Sequence, residues 1–167
     1  MKAIFLDIDG VLNNSHNNPK FRSKSHCGIY TGIDKDKVKR LAKIVQETGA
    51  DLILISTWKV GWEKKGIYPK EYHYKICDAH AKYLDNHLQK KGKLFIKDKT
   101  RERNLAQRGT GIKSFLTLHP EYTEWIVLDD ELFPDYDKKI LKHLVKTNGQ
   151  WGLQDDDADV AIKMLMG

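Results

Sequence analysis

Short runs of apolar residues recur along the chain and predict the strands of a buried sheet. Three of them, at residues 3–6, 51–55 and 125–128, are apolar almost throughout. Continuous apolar runs of this length are typical of strands that are buried on both faces, as in parallel sheets. Shorter runs predict two more strands, at residues 94–96 and 144–147.

Between the strands, apolar residues recur every three or four positions, which is the period of a helix. The helices predicted in this way cover residues 33–48, 72–88, 109–118, 137–143 and 155–166. Asp34 is placed to cap the first helix, and Gly49 is placed to end it. The alternation of strands and helices predicts an α/β fold, in which a Rossmann-like three-layer core has a central parallel sheet and a small cap insertion.

The chain has 167 residues, a length that suits one domain with a sizeable core. We therefore expect a single domain over residues 1–167. Two stretches interrupt the alternation and are predicted to lie outside the core. Residues 13–33, which are rich in Asn, Ser, Lys and Gly, form a predicted flap, and residues 59–107 form a small cap or insertion.

The composition excludes several classes of protein. Hydrophobic residues make up 40% of the chain and charged residues 31%, which is typical of a globular domain. No apolar run approaches the roughly 20 residues of a membrane span, and an acidic strand that begins at Ala3 does not resemble a signal peptide. Cys27 and Cys77 form no C-x-x-C pair, so we expect free thiols in a reducing cytoplasm.

The formal net charge of +6 is concentrated in one segment. Residues 89–108 hold eight Lys or Arg and two Asp or Glu, whereas the rest of the chain holds 21 residues of each sign. Such a segment is either a solvated surface loop or a flank that steers a polyphosphate or a nucleic-acid end toward a site. The sequence leaves both interpretations open.

Polar residues directly follow the three most apolar strands. They are Asp7 and Asp9, Ser56 and Thr57, and Asp129 and Asp130. Because ligands of open α/β sheets bind where the carboxyl ends of parallel strands meet, we expect these side chains to form one site. Carboxylates held this close repel one another unless a cation or a shared proton relieves them. Mg²⁺ prefers oxygen ligands of this kind.

These polar strand ends resemble the motifs of the haloacid dehalogenase-like (HAD) phosphohydrolase superfamily. Residues 7–12, DIDGVL, fit the first motif, D-x-D-G-[VT]-L, and residues 127–130 fit the fourth, a strand that ends in two aspartates. The second motif, a hydrophobic strand that ends in Ser or Thr, is matched by residues 54–56. The third motif is a lone cation near the start of a helix, for which the candidates are Arg108 and Lys113.

A narrower resemblance is to the small HAD domains found in multi-domain RNA-repair proteins. It rests on residues 56–59, STWK, on Arg108 and Gly109 with the apolar residues after them, and on Gly152 and Leu153 before the last helix. The Thr and Lys of the STWK segment are departures, since Ser and Arg are usual at these two positions in that subgroup.

The resemblance implies a role for each candidate residue. Asp7 would be the nucleophile that forms an aspartyl-phosphate, and Asp9 would act as general acid and then as general base. The Mg²⁺ ligands would be Asp7, the backbone carbonyl of Asp9, and Asp129, with Asp130 completing the site or orienting its waters. The phosphoryl oxygens would be held by Ser56, Thr57 and a cation, either Arg108 or Lys113.

The implied function is Mg²⁺-dependent hydrolysis of phosphate monoesters. The small basic cap favours a large or polymeric substrate, with the end phosphate of a nucleic acid or nucleotide as our first choice. Two alternatives stay open, namely a phosphatase of small nucleotides or sugar phosphates and a non-catalytic module that binds phosphate or RNA. The oligomeric state is also left open.

For two other groups of residues we favour a structural explanation. Four potential zinc ligands occur at helical spacing, namely His73, Cys77, His80 and His87. They share their helix with apolar residues, so a packed helix face is favoured over a zinc site. Four aromatic residues follow the second strand, namely Trp58, Trp62, Tyr68 and Tyr72. For these, packing in the core or cap is favoured over stacking on a nucleobase.

Overall fold

The computed structural model of this chain describes residues 1–16, 32–64 and 75–167, and of residues 75–80 it describes the backbone only. The predicted free thiols and the potential zinc ligands involve residues outside this description, so both remain predictions. Most of the predicted flap at 13–33 also lies outside the described residues, as do Tyr68 and Tyr72.

In the described part of the chain, five parallel strands form the central sheet. They are β1 (Lys2–Leu6), β2 (Asp51–Leu54), β3 (Ile96–Lys99), β4 (Glu124–Asp129) and β5 (Leu144–Lys146). Their order across the sheet is β3-β2-β1-β4-β5, and every neighbouring pair is parallel. Leu6 of β1 lies beside Leu54 of β2 and Leu128 of β4. The residues that follow these three strands therefore meet at one edge of the sheet.

Within the described residues, five α-helices connect or follow the strands. They are α1 (Lys35–Thr48), α2 (Lys75–Gly92), α3 (Arg108–Leu118), α4 (Lys138–Lys142) and α5 (Asp155–Met166). As predicted, the Asp34 side chain caps α1 by accepting from the N–H of Asp36, and Gly49 ends it in the left-handed conformation, with φ 68°. None of the helices in the described part of the chain has both the length and the apolar character needed to cross a membrane.

Successive side chains of each strand face opposite apolar layers. Ile4 and Leu6 of β1 pack in a cluster that includes residues of α1, α2 and α5. Phe5 packs in a second cluster with residues of α3 and α4. The two clusters lie on opposite faces because neighbouring residues of a strand point to opposite sides of the sheet. The predicted α/β fold with a Rossmann-like three-layer core is confirmed.

The strand order places a topological switch point between β1 and β4. The chain runs from β1 outward to β2 and β3, and it then returns to the other side of β1 to form β4 and β5. In open α/β sheets, ligands bind at the carboxyl ends of the strands where the order reverses in this way. The carboxyl ends of β1 and β4 are therefore where the fold favours a site.

Part of the predicted cap at residues 59–107 belongs to the core instead. α2 packs against α1, and β3 pairs with β2 at the edge of the sheet. β3 also begins later than predicted, at Ile96 and not at Leu94. Leu94 is buried before the strand, and Phe95 is 69% exposed. The division into one domain with a flap and a cap otherwise remains a prediction.

Candidate active site

The switch point brings together the aspartates of the first and fourth motifs. Asp7 follows β1 and Asp129 ends β4, and the backbone N–H of Asp7 donates to the carbonyl of Leu128 at 2.9 Å. Asp7 is 2% exposed, and Asp129 is fully buried. Together with Asp130, they offer one carboxylate oxygen each within 4.8 Å of one another. Three of the four predicted metal ligands therefore lie side by side.

Arg108 is the cation that balances these carboxylates. Its Nη1 lies 3.0 Å from Asp7 Oδ2 and 2.8 Å from Asp129 Oδ2. Its guanidinium group packs over the ring of Phe133, 4.2 Å from the ring centroid. Burial disfavours the charged guanidinium, but Asp7 and Asp129 outweigh this effect and raise the pKa of Arg108 above its usual value. Arg108 therefore carries its charge at any physiological pH.

The start of α3 holds Arg108 at the site. A cation in the first turn of a helix is unfavourable because it faces the positive end of the helix dipole. The carboxylate of Asp135 offsets this by accepting from the N–H groups of Gly109 at 3.1 Å and Thr110 at 2.7 Å. The loop after β4 thus anchors the helix end that presents Arg108 to the carboxylates.

Burial raises the pKa values of Asp7 and Asp130. Burial raises the pKa of Asp7 to about 7, with Arg108 acting against the shift and Asp129 adding to it. Burial, and then the charges of Asp129 and Glu131, raise the pKa of Asp130 to about 6. Both shifts mean that the fully ionised cluster is costly without a further positive charge.

The donor set fits a hard divalent cation. Asp7 Oδ1 is buried and makes no hydrogen bond within the described parts of the chain, although buried polar atoms are nearly always paired. Mg²⁺ is usually bound through one or two carboxylates and completes its shell with waters and substrate oxygens. Asp7, Asp129 and Asp130 are the residues that fit it here, and they offer oxygen atoms only.

Neighbouring groups fix the orientation of Asp129. Tyr136 Oη donates to Asp129 Oδ2 at 2.7 Å, and the backbone N–H of Glu131 donates to Asp129 Oδ1 at 2.9 Å. Burial, followed by the charge of Asp129, raises the pKa of Tyr136 above its usual value. The phenol therefore stays protonated and remains a hydrogen-bond donor.

The carboxylate of Asp9 makes contacts different from those of the other aspartates. Trp58 Nε1 donates to Asp9 Oδ2 at 3.0 Å, and Asn13 Nδ2 donates to Asp9 Oδ1 at 2.8 Å. Among the described carboxylates, the cluster with metal-binding geometry does not include the Asp9 side chain. A side chain that is separate from the metal ligands suits the predicted acid and base role. The backbone carbonyl of Asp9 as a ligand remains a prediction.

The predicted phosphate-binding residues are brought together only in part. Ser56 is fully buried at the end of β2. Burial raises the pKa of Asp7, and the Ser56 side chain acts against this shift. Thr57 is exposed at the start of a one-turn 3₁₀ helix. Lys113 lies on the surface, where its Nζ is 3.3 Å from Asp137 Oδ2. The geometry therefore favours Arg108 over Lys113 as the cation of the third motif.

Gly10 permits the close approach of Asp130 to the turn after β1. It has φ +72°, and a Cβ at this position would lie 2.1 Å from the carboxyl carbon of Asp130. Thr147, after β5, fixes the same turn by donating to the carbonyl of Gly10 at 2.7 Å. The glycine of the first motif is thus required by its backbone conformation and by the lack of space beside it.

A buried ion pair links the segments that follow β2 and β3. Lys59 Nζ pairs with the Glu102 carboxylate and donates to Thr100 Oγ1 at 3.0 Å. The two paired side chains are 5% and 2% exposed. Burial lowers the pKa of Lys59, while Glu102 acts in the opposite direction. Lys59 stands where the subgroup that the sequence resembles usually has arginine. Its ion pair with Glu102 holds the lysine at this position.

The basic segment at 89–108 is less positive on its surface than its composition predicts. Arg108 is buried, and Lys99 Nζ donates to the backbone carbonyl of Trp62 at 2.5 Å. Arg101 is exposed and lies 3.7 Å from Asp98. The other cations of the segment are exposed, namely Lys90, Lys91, Lys93, Lys97 and Arg103. These exposed side chains are the cations that the segment presents to solvent.

The sequence did not single out Asn13 or Tyr136 as site residues. Asn13 directly follows the first motif and lies four residues after Asp9, which it contacts. Because Gly10 predicts a turn between the two residues, this contact was predictable from the sequence. Tyr136 lies in the loop after β4, where no helical or strand periodicity predicts which side chain approaches Asp129. Only the tertiary structure shows that it reaches this carboxylate.

One comparison with known protein families agrees with this fold. The family described as "HAD domain in Swiss Army Knife RNA repair proteins" matches residues 3–158. The matched range includes every aspartate of the cluster as well as Ser56 and Arg108. Among curated proteins and among solved structures, the comparison finds no match.

Proposed function

The chain belongs to the family of HAD domains in Swiss Army Knife RNA repair proteins, and we propose that it is a Mg²⁺-dependent phosphatase of phosphate monoesters. The observation that carries the proposal is the buried cluster at the switch point, where Asp7 contacts Arg108 and lies beside Asp129 and Asp130. Desolvating so many charges costs free energy. Such a cluster at the ligand-binding edge of the sheet therefore supports a catalytic role.

Asp7 is the proposed nucleophile. One of its carboxylate oxygens forms a bond to phosphorus while the bond from phosphorus to the leaving-group oxygen breaks, which gives an aspartyl-phosphate. Asp9 gives its proton to the departing oxygen in this step. It then takes a proton from the water that attacks phosphorus, which releases inorganic phosphate and restores Asp7.

The remaining residues stabilise charge. Arg108 and the Ser56 hydroxyl hold phosphoryl oxygens, because donors that offset the charge of the transferring group are the main contribution of a protein to phosphoryl transfer. Asp7, Asp129 and Asp130 are the proposed Mg²⁺ ligands. When bound, Mg²⁺ neutralises negative charge on the carboxylates and on the transferring group.

One observation favours the alternative of a non-catalytic phosphate-binding module. Asp7 is 2% exposed, so a substrate can reach it only after a rearrangement at the site. Arg108 is the side chain that we propose moves, because its Nη1 spans Asp7 and Asp129 and a phosphoryl group offers it replacement acceptors.

An activity screen distinguishes these functions. The purified protein is assayed for phosphate release from 3′- and 5′-phosphorylated oligonucleotides, mononucleotides, sugar phosphates and p-nitrophenyl phosphate, with Mg²⁺ and with EDTA. The proposal predicts turnover that requires Mg²⁺. Binding of phosphorylated RNA without turnover of any substrate would instead support the non-catalytic module.

Our first choice of substrate is the end phosphate of a nucleic acid, and charge reversal of the basic segment tests it. Replacing Lys97, Arg101 and Arg103 by Glu is expected to raise KM for a phosphorylated oligonucleotide by about tenfold at low salt, because steering by exposed charges is lost. The effect should shrink as salt is added, since screening shortens the range of these charges.

A matched control for the charge reversal uses three exposed lysines at the opposite edge of the sheet. They are Lys138, Lys139 and Lys142 of α4. Replacing them by Glu changes the net charge by the same amount but leaves the basic segment intact, so KM should stay near its parent value. If both triple variants raised KM equally, the effect would come from the net charge, and the basic segment would have no specific role.

The orientation of Asp129 by Tyr136 gives a second prediction. Tyr136→Phe removes the hydrogen bond to Asp129 Oδ2 and should weaken Mg²⁺ binding by about tenfold, because partners that orient a ligand tune metal affinity. Calorimetric titration of the protein with Mg²⁺ measures this directly. Tyr122→Phe is the control, because Tyr122 is also buried and donates to a carboxylate, that of Asp51, at 2.8 Å. Unchanged affinity in Tyr136→Phe would exclude the orienting role.

A further inference from the structure

Trp58 contacts the predicted general acid through its indole N–H. The indole is 8% exposed and packs in the apolar layer with α1, α2 and α5. Its Nε1 donates to Asp9 Oδ2 at 3.0 Å. The sequence explains Trp58 by core packing, which the structure confirms, but packing alone does not explain why the N–H points at this carboxylate.

The two oxygens of Asp9 are held from two different parts of the fold. Asn13 Nδ2, in the turn after β1, donates to Oδ1, while Trp58 donates to Oδ2. The Asn13 side chain is fixed in turn, because its Oδ1 accepts from the N–H of Gly10 at 3.0 Å. A carboxylate with one partner can rotate about its terminal bond. A carboxylate with a donor on each oxygen is held in one orientation.

Trp58 is also connected to the phosphate-binding end of β2. It lies in the one-turn 3₁₀ helix Thr57–Lys59, whose N-cap is Ser56. The Ser56 side chain accepts from the backbone N–H of Trp58 at 3.4 Å. A single turn of the chain therefore presents the hydroxyl near Asp7 and the indole N–H that holds Asp9.

We infer that Trp58 is a positioning residue that holds the Asp9 carboxyl group toward the leaving-group oxygen of the substrate. The inference rests on the proposed phosphatase function. As the bond from Asp7 to phosphorus forms and the bond to the leaving group breaks, the Asp9 proton passes to the departing oxygen and Asp9 becomes a carboxylate. Each carboxylate oxygen can accept two hydrogen bonds, so a bond from Trp58 or Asn13 does not by itself prevent the oxygen from carrying the transferred proton.

A dependence on the leaving group distinguishes positioning from packing. An alkyl phosphate, such as a 3′-phosphorylated oligonucleotide, needs protonation of its poor leaving group, whereas p-nitrophenyl phosphate has a good leaving group and needs little. A misplaced general acid therefore slows hydrolysis of the oligonucleotide more than hydrolysis of p-nitrophenyl phosphate. The quantity to compare is kcat/KM, because it reports formation of the aspartyl-phosphate and not its later hydrolysis.

The variant Trp58→Phe removes the N–H and keeps an aromatic ring in the core. We expect kcat/KM to fall by about tenfold or more for the oligonucleotide and by less than about threefold for p-nitrophenyl phosphate. Asp9→Asn serves as the reference for a lost acid and should show the same selectivity with larger losses. Asn13→Ala removes the donor to Asp9 without placing a second carboxylate beside it, and it provides a second route to the same result if Trp58→Phe folds poorly.

Trp62→Phe is the matched control. Trp62 packs in the same apolar layer, is 2% exposed, and donates through Nε1 to a carboxylate, that of Asp85, at 3.0 Å. Its replacement removes the same atoms from the same core but does not change a contact of Asp9. Both substrates should therefore respond to Trp62→Phe equally and weakly.

The possible outcomes separate the inference from the function on which it rests. Selective loss in Trp58→Phe and Asn13→Ala, without selectivity in Trp62→Phe, supports the positioning role. Losses of equal size for both substrates in Trp58→Phe and Asn13→Ala, or the same selectivity in Trp62→Phe, would overturn it while leaving the phosphatase in place. No hydrolysis by the parent protein would refute the proposed function and the inference with it.

Discussion

Asp7→Asn should lower kcat for phosphate-monoester hydrolysis by about a thousandfold or more, since losing a nucleophile removes most of the rate enhancement. An amide does not form the acyl phosphate that the carboxylate forms, although it has nearly the same size. The change is measured as Mg²⁺-dependent phosphate release from p-nitrophenyl phosphate and from the best substrate of the screen. Hydrolysis near the parent rate would refute the assignment of Asp7.

The fold should survive this substitution. Burial raises the pKa of Asp7 to about 7, so the charged form is costly at neutral pH and an uncharged amide removes that cost. We expect a melting temperature close to that of the parent. Asp157→Asn is the control, because it removes one acidic charge from the capping box at the start of α5. It should cost a little stability through the weaker cap and leave activity near the parent value.

Arg108→Met is expected to have the second largest effect, a fall in kcat/KM of about a hundredfold or more. Arg108 is the cation that contacts Asp7 and Asp129, and a phosphoryl group that develops charge would lose this donor. Methionine keeps much of the length and apolar volume of the side chain. Measurements at saturating Mg²⁺, together with thermal melting, separate lost catalysis from a weakened fold.

Lys113→Met tests the competing choice for the third motif. Lys113 is exposed and pairs with Asp137, so its replacement should change kcat/KM by less than about twofold, as is usual for surface ion pairs. If Lys113→Met were as damaging as Arg108→Met, the phosphate-binding cation would be misassigned. Arg108→Lys adds a finer comparison, because it keeps the charge but loses the forked geometry of the guanidinium.

The sequence predicted β1, β2, β4 and β5 well and the edge strand β3 poorly. The apolar runs of β1, β2 and β4 marked these strands within one or two residues. β3 has a single neighbour, and its residues Lys97, Asp98 and Lys99 are charged. Charged edge strands are common because they prevent unwanted pairing, but they carry no apolar signal. The strand was therefore predicted too early, and residues of the core were assigned to a cap.

Some site residues were predicted by local sequence patterns, whereas others depend on contacts between residues far apart in the sequence. The positions of Asp7 and Asp129 followed from strand ends, which are local in sequence. The choice between Arg108 and Lys113 did not, because it depends on which residue begins α3 and on the face that the helix turns to the sheet. The contacts of Asp9 with Trp58, 49 residues away, depend on the packing of two loops. A pattern of apolar positions does not encode such packing.

Covalent capture of the phosphorylated protein tests the central claim most directly. The protein is mixed with substrate and Mg²⁺, quenched in acid during turnover, reduced with borohydride and digested for peptide mass spectrometry. An aspartyl-phosphate is reduced to homoserine, so the account predicts homoserine at position 7 of the parent protein and none in Asp7→Asn. Active protein that yields only unmodified Asp7, or homoserine at another aspartate, would contradict it.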